Sequence, residues 1–547
     1  MAKVLLVVRL LALIATALPQ TVESAPGPPT AFVQNGTLTG LHLPQLNQDL
    51  FLGVPFARPP VGELRLRHPQ SLNHSWEGDR DATRRGNSCV GYAGFAKGLN
   101  ISEDCLTLDI VRPAQAGPGD GLPVLVWIYG ADSRYNTSYL VKASVTMRKP
   151  ILTVSINYRV GGWGFLASQE MHEGGASNIG LFDQRLALRW VKEDIKAFGG
   201  DPDKITIAGE LAGAFSAGYH LVGFHGNNEN LFRAAILQSG TALGPGATPA
   251  SFQPIYDNVI ETVGCSTAAD TLACHRQVPF EALNDAFAPF AFTPILDGKF
   301  LSRLPSRSFA QGLVADVAVL AGSTTDEGTA TFFGPRGTLH NDSDTRAFIE
   351  SMGNGLDPGT VDKLSELYPD DPGQGCPFST GEMRFEQHGL QYKGGAAICH
   401  PCRPTSHRTR ITGENRSSHI GSMNGRGNGA LELIATETPL FSTHYADVCF
   451  FFNVDPVVSQ NDTNWIGPYP DYHELADLVS GSWISFVHGL NPNHEPAISA
   501  MRIPLWPDYS LGGHNFVFRA RRSYVERDDW RVSQLSFWGT IWEALKT

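Results

Sequence analysis

The sequence predicts an α/β protein with a mostly parallel central sheet flanked by helices. Continuous apolar runs at 122–129, 151–157, 234–238 and 317–322 have the length and composition of buried strands. Residues 178–199 carry apolar side chains at helical spacing, with Asp183 as the expected N-cap and Gly199 at the C-terminal end. Strands that alternate with helices in this way indicate a parallel sheet.

The central stretch of the chain, residues 204–218, reads KITIAGELAGAFSAG and combines a predicted strand with a predicted helix. Apolar residues at 205–208 precede Gly209 and Gly213, and small or apolar residues continue to Val222. Strand, Gly-x-x-x-Gly and helix is the layout of a nucleophile elbow, in which the middle residue of G-x-S-x-G is the catalytic serine. Here that residue is Leu211, whose alkyl side chain cannot attack a carbonyl.

The N-terminus and the surface motifs predict a secreted, glycosylated protein. Residues 1–25 contain Lys3, an apolar stretch at 4–18 and then small residues, which is typical of a signal peptide; an anchor helix is the alternative. We expect no transmembrane segment after it. Seven N-x-S/T sequons predict N-glycosylation in a secreted chain, at Asn35, Asn73, Asn100, Asn136, Asn341, Asn415 and Asn461. A formal charge of −12 without Lys/Arg runs argues against nucleic acid as a partner.

Eight cysteines, an even number, favour disulfides in an oxidising compartment. Cys399 and Cys402 form a C-x-x-C pair that could be half of a metal site. No second Cys/His pair stands at zinc spacing, so we predict neither a metal nor an organic cofactor. Residues 403–429 are rich in Arg, Ser and Gly, which predicts an exposed loop insertion.

Several motifs carry a family resemblance. The chain reads FLGVPFARPPVGELR from Phe51, SEDCLTLDI from Ser102, NYRVGGWGFL from Asn157, LQSG from Leu237 and DEGT from Asp326. Together they resemble the type-B carboxylesterase/lipase family, which includes the cholinesterases, and most closely its secreted fungal members. The resemblance implies the α/β-hydrolase fold as a single domain over 26–547, with a gorge that takes an apolar small molecule.

The resemblance also implies disulfides and catalytic residues. The expected disulfides are Cys89–Cys105, Cys265–Cys274 and Cys376–Cys399. Family esterases use Ser, His and Glu, and Glu327 matches the acid, with a surface carboxylate as the alternative. Two histidines compete for the base: His444, in an H-x-x-D segment before a predicted Phe-rich strand at 450–452, and His473, ahead of the late helix. The alternative is that both are structural histidines without a catalytic role. Ser216 and Ser239 resemble structural serines of the family.

The oxyanion loop departs from the family pattern as well. Where the family has three glycines, this chain has Gly130, Ala131 and Asp132. The resemblance implies that the backbone N–H groups of Gly130, Ala131 and Ala212 occupy the oxyanion positions. An ionised Asp132 at ~4 Å would repel the developing negative charge by a few kcal/mol at an effective dielectric constant near 20. If it is protonated, Asp132 could instead act as an acid.

These features leave three functional hypotheses. The leading one is a non-hydrolytic enzyme, in which a His–Glu327 dyad catalyses cyclisation, dehydration or isomerisation of an apolar small molecule, for instance in secondary metabolism. The second is a pseudoenzyme that binds a ligand or an interaction partner. The third is a weak ester hydrolase in which histidine activates water, a contribution of ~10²–10⁴-fold. The backbone of Leu211 either keeps the positive φ of an elbow or has relaxed.

Overall fold

A computed structural model of the chain describes residues 27–91, 99–128, 135–242, 246–324, 341–351, 356–369, 418–423, 445–454, 466, 469–494, 503–529 and 532–541. Its strands are β1 Thr30–Val33, β2 Gly36–Thr39, β3 Leu41–Leu43, β4 Gln48–Pro55, β5 Asp79–Asp81, β6 Thr107–Pro113, β7 Leu122–Ile128, β8 Leu152–Ile156, β9 Gly200–Glu210, β10 Ala234–Gln238, β11 Ala318–Thr324, β12 Ser418–Met423, β13 His514–Phe518 and β14 Tyr524–Arg527.

The helices are α1 Ser138–Thr146, α2 Gly161–Phe165, α3 Gln169–Glu173, α4 Ile179–Asp194, α5 Ala212–Val222, α6 Pro249–Thr262, α7 Thr271–Gln277, α8 Phe280–Phe287, α9 Pro305–Ala310, α10 Asp342–Ser351, α11 Pro358–Leu367, α12 Val448–Phe452, α13 Pro470–Gly489 and α14 Val532–Ile541. Short 3-10 turns lie at Gly62–Leu64, Ile195–Phe198, Gly223–Gly226 and Tyr509–Leu511. Within the residues that the structure describes, none of the helices has the length and apolar character of a bilayer span.

The central sheet has the order β14-β13-β12-β11-β10-β9-β7-β8-β6-β4-β3. In this order, all strands from β13 through β7 to β8 are parallel to one another. Antiparallel strands close both edges of the sheet. Successive residues of β7 point to opposite faces: Val124 and Val126 join one hydrophobic cluster, whereas Leu125 and Trp127 join another. A sheet covered on both faces explains the continuous apolar runs and confirms the predicted α/β class and α/β-hydrolase fold.

Helix α4 begins four residues earlier than its predicted cap. Asn178, with φ 52°, precedes Ile179, and Asp183 lies inside the helix, so the prediction of Asp183 as N-cap is wrong. The Asp183 carboxylate accepts hydrogen bonds from the backbone N–H and the guanidinium of Arg159, at 2.6–3.0 Å. The Asp183 carboxylate is therefore engaged in a buried ion pair with Arg159 and caps no helix. The predicted end is confirmed, since Gly199 has φ 91° at the C-terminus of the adjoining 3-10 turn.

Two other expectations are corrected. Phe450, Phe451 and Phe452 belong to helix α12 and not to a strand, and all three are buried. A short apolar run does not by itself distinguish a buried strand from a buried helix. Within the predicted exposed loop 403–429, Ser418–Met423 form β12, which pairs with β11 and β13. The Arg-, Ser- and Gly-rich composition of 403–429 does not predict a strand, and the backbone hydrogen bonds of the ladder form this one. The rest of that stretch lies outside the described residues.

Two of the predicted disulfides are present. Cys89 and Cys105 are bonded with their Cα atoms 5.0 Å apart, and Cys265 and Cys274 with theirs 5.8 Å apart. The third predicted pair, Cys376 and Cys399, lies outside the described residues. Residues 1–26, which include the expected signal peptide, also lie outside them.

Candidate active site

Strand β9 and helix α5 meet in a tight turn at Leu211. The residue has φ 48° and ψ −112°, so the elbow keeps its positive φ and has not relaxed. Its N–H donates to the Gln238 carbonyl at 3.0 Å, and its carbonyl accepts from Phe215 N–H at 2.8 Å. The Leu211 side chain is half-buried, and Ala212, the first residue of the helix, is exposed.

The close passage of strand and helix requires glycine at position 209. A Cβ atom built on Gly209 would overlap the backbone of Gly213. Only glycine allows the two segments to pass at this distance. The sequence pattern therefore produces the elbow geometry although its central side chain is a leucine.

The strand ends next to the elbow lie side by side. In the parallel ladder Glu210 pairs with Gln238, and Gln238 pairs with Gly322, two residues before the end of β11. Glu210 is fully buried. The carboxyl ends of β9, β10 and β11 thus share one edge of the sheet, which is where ligands bind in open α/β sheets.

A buried polar chain connects this edge to the helices behind it. Gln238 Nε2 donates to Asp447 Oδ2 at 2.8 Å, and Trp483 Nε1 donates to Gln238 Oε1 at 3.1 Å. All three residues are less than 8% exposed. Asp447 precedes α12, and Trp483 lies in α13. Gln238 therefore accepts the Leu211 N–H with its backbone carbonyl and donates to Asp447 with its side-chain amide.

The free thiol of Cys449, beside these hydrogen-bonded side chains, is not a replacement nucleophile. Cys449 is buried, and its Sγ donates to the Ala446 carbonyl at 3.3 Å. Burial, and then the nearby Asp447 carboxylate, raise the pKa of Cys449 to about 12. The thiol is therefore protonated at neutral pH, whereas the thiolate is the reactive form.

The two nearby serines lie in the interior. Ser216 Oγ accepts from Gln184 Nε2 at 2.9 Å, and Gln184 Oε1 lies 3.1 Å from His220 Nε2. Burial lowers the pKa of His220 well below its usual range, so this imidazole is neutral. Ser239, also buried, has φ 53° and donates its N–H to the Gly322 carbonyl. Their burial agrees with the structural role expected for both.

His473 is in the first turns of α13 and not ahead of that helix, since Pro470–Gly489 begins three residues before it. It is half-buried. Trp483, the residue of this helix that contacts Gln238, is ten residues further on, about 15 Å along the axis at ~1.5 Å per residue.

The remaining predicted site residues lie outside the described residues: Gly130, Ala131, Asp132, Glu327 and His444. The chain resumes at Tyr135 after the oxyanion loop and at Tyr445 after His444. Leu211 and Ala212 are thus the parts of the predicted site that the structure brings to the sheet edge.

Comparison with known proteins decides the family. Residues 27–353 match the model of the carboxylesterase family. The chain belongs to the carboxylesterase family. It is 33% identical to Lipase 4 of Diutina rugosa, over 94% of this chain and 96% of that protein. It is 32% identical to Secreted lipase 1 of Botryotinia fuckeliana, over 90% of this chain and 89% of that protein.

A solved structure agrees with this assignment. The crystal structure of Aspergillus niger EstA matches with a TM-score of 0.80 at 26% identity, covering 95% of this chain and 99% of that one. The α/β-hydrolase fold of this carboxylesterase-family chain is therefore shown by sequence and by structure.

The local motifs do not reveal the roles of Gln238 and Asp447. Gln238 stands in LQSG, and Asp447 stands at the end of H-x-x-D. The signal was thus present in the motifs, but their side-chain contact joins residues 209 positions apart.

Proposed function

We propose that this carboxylesterase-family protein is a secreted, non-hydrolytic enzyme that acts on an apolar small molecule through proton transfer. The observation that carries the proposal is Leu211 in an intact elbow. Its backbone has the positive φ of the nucleophile position, but its side chain has no hydroxyl to form an acyl-enzyme. Ser216, whose hydroxyl is engaged by Gln184 in the interior, is not placed to substitute.

The altered oxyanion loop supports the same proposal. Ala131 and Asp132 replace glycines that would present backbone N–H groups to an oxyanion. An ionised carboxylate there opposes the charge of a tetrahedral intermediate. A site that cannot attack an ester and cannot stabilise its intermediate would leave an ester or lactone substrate intact.

His444 is the base that we favour over His473. Asp447, three residues after His444, is hydrogen-bonded to Gln238, whose carbonyl also receives the N–H of Leu211. The chain that follows His444 is therefore fixed at the elbow. His473 lies in the first turns of α13, whose contact with Gln238 is at Trp483, about 15 Å away along the axis.

Glu327 is the partner that we propose for this base. It follows by three residues the end of β11, whose carboxyl end lies beside β10 and the elbow. A histidine oriented by a carboxylate can remove a proton from carbon or oxygen without a covalent intermediate. A protonated Asp132 would return a proton to the product. Such a pair suits cyclisation, dehydration or isomerisation, and one setting for it is secondary metabolism.

The relatives and the disulfides support the proposed secretion, and the lipase relatives support an apolar ligand. One relative is named a secreted lipase, and others are named lipases. Two disulfides suit an oxidising compartment. We therefore place this protein outside the cell or in the lumen of the secretory pathway, folded as a single domain over 26–547.

The decisive experiment incubates the purified protein with an extract of its source organism and follows changed metabolites. The expected result is one converted compound, with conversion lost in His444→Ala and retained in His473→Ala, while both variants still bind the compound. A retained but unconverted compound would instead indicate a binding protein.

A second assay tests the loss of the nucleophile directly. With a p-nitrophenyl acyl ester, the wild-type protein should release no burst of p-nitrophenol, because no acyl-enzyme can form. A stoichiometric burst would refute the proposed role of Leu211.

A further inference from the structure

The sequons of this chain differ in how they sit in the fold. An N-glycan is attached to Nδ2 of asparagine, so this atom and the space around it must be open in the folded protein. Asn73, Asn100 and Asn341 are exposed, whereas Asn35 is 9% exposed. Position in the fold therefore separates motifs that the sequence presents as equivalent.

Asn35 uses its amide to hold a neighbouring segment. It lies in the turn between β1 and β2, and its Nδ2 donates to the His74 carbonyl at 2.9 Å and to the Leu72 carbonyl at 3.5 Å. A glycosidic bond would replace one of the two amide hydrogens that make these contacts. The side chain is thus committed to a structural role.

The segment that Asn35 holds also covers the turn. Trp76 N–H donates to the Asn35 carbonyl at 3.0 Å, and Trp76 Nε1 donates to the Thr37 carbonyl at 2.9 Å. A Cβ atom on Gly36 would lie 2.7 Å from Trp76 Nε1. The indole leaves no room for a sugar over this hairpin.

Asn73 belongs to the same segment but is exposed between the two carbonyls that bind Asn35. Asn100 Nδ2 donates one amide hydrogen to Asn87 Oδ1 at 2.6 Å on the surface. A sugar can replace its second amide hydrogen. Asn341 uses its Oδ1, not its Nδ2, to accept from Asp344 N–H at 3.0 Å. Each of these three can carry a glycan without the loss of a buried contact.

We infer that Asn73, Asn100 and Asn341 carry N-linked glycans, and that Asn35 stays unmodified as a structural clamp on the 72–76 segment. The inference rests on the proposed secretion but not on the proposed chemistry. Transfer from a polyprenyl-diphosphate-linked oligosaccharide breaks the bond between the sugar C1 and the diphosphate oxygen and forms the C1–Nδ2 bond. The amide loses one proton, and the lipid diphosphate is released. A chain modified at Asn35 could not close the hairpin under Trp76.

The test is site-by-site mass spectrometry on the full chain secreted from a eukaryotic host. Enzymatic release of N-glycans in heavy-oxygen water converts each glycosylated asparagine into a labelled aspartate. The expected result is label at Asn73, Asn100 and Asn341 and an unlabelled Asn35. Label on a substantial share of Asn35, or its absence from Asn73, would overturn the inference; a chain without any glycan would overturn it too.

A matched pair of variants removes sequons without touching the asparagines. Ser75→Ala should reduce the mass of the secreted protein by one glycan, whereas Thr37→Ala should leave its mass unchanged apart from the substitution. A glycan-sized loss in Thr37→Ala would show that Asn35 is modified. These readouts are independent of whether the protein turns over a ligand.

Discussion

At the strained turn of Leu211, we expect glycine to be more stable than alanine, the reverse of their usual order. A non-glycine residue with positive φ in this region costs ~1–3 kcal/mol, and Leu211 has φ 48° and ψ −112°. In Leu211→Ala the strain stays and the half-buried side chain is lost, so we expect a destabilisation of about 1 kcal/mol.

Leu211→Gly removes the same side chain but also relieves the strain. Against that gain stands a backbone entropy cost of ~0.5–1 kcal/mol for glycine. The glycine variant should therefore be more stable than the alanine variant by about 1 kcal/mol. Urea unfolding of both proteins, followed by circular dichroism with a check that the m-values agree, measures this difference.

The control is Ala143→Gly in helix α1, where the same change should cost ~1 kcal/mol. If Leu211→Gly were less stable than Leu211→Ala by a similar amount, the elbow would not be strained. The backbone argument for a nucleophile position that has lost its nucleophile would then fail.

Three further predictions concern activity, packing and pH. Leu211→Ser should produce an acyl-enzyme burst with a p-nitrophenyl ester but slow turnover, and adding Asp132→Gly should raise the rate by ~10²-fold in the same assay. Gln238→Leu should lower the free energy of unfolding by about 2 kcal/mol, because it removes a donor from the buried Asp447. Burial, and then the charges of neighbouring arginines, lower the pKa of His275 to about 4. Between pH 6.5 and 4 the unfolded chain binds a proton that the folded protein excludes, so urea unfolding should show up to about 3 kcal/mol of stability lost as the pH falls.

Each of these has its own control. Equal rates for Leu211→Ser with and without Asp132→Gly would show that Asp132 does not impair the oxyanion site. Gln70→Leu, at an exposed position, should change stability by less than ~0.5 kcal/mol. If Gln238→Leu had an equally small effect, the stabilising role of the buried hydrogen bonds of Gln238 would be contradicted. His275→Leu should flatten the pH dependence, and an unchanged slope would assign it to other groups.

The sequence determined the parts of the fold that depend on short-range patterns. Buried strands at 122–128 and 234–238 follow from apolar runs whose two faces must both be covered. The elbow follows from the Gly-x-x-x-Gly motif, in which glycine at 209 permits the close passage of strand and helix. The family resemblance implied the Cys89–Cys105 and Cys265–Cys274 disulfides, and both are present.

The tertiary structure decided the features that depend on contacts between distant segments. Residues 450–452 form a helix, and residues 418–423, within a stretch rich in Arg, Ser and Gly, form a strand in the sheet, because packing and ladder pairing override local composition there. Two sequons, Asn35 and Asn73, look alike as motifs, yet one is covered by Trp76 and the other is exposed.

The site itself divides in the same way. That Leu211 stands where an elbow carries its nucleophile can be read from the sequence, because the motif is local. That its backbone keeps φ 48°, and that Gln238 joins this turn to Asp447, depended on the assembled sheet edge. A hydrogen bond between side chains 209 residues apart exists only after the strands and helices between them have packed, so no local pattern specifies it.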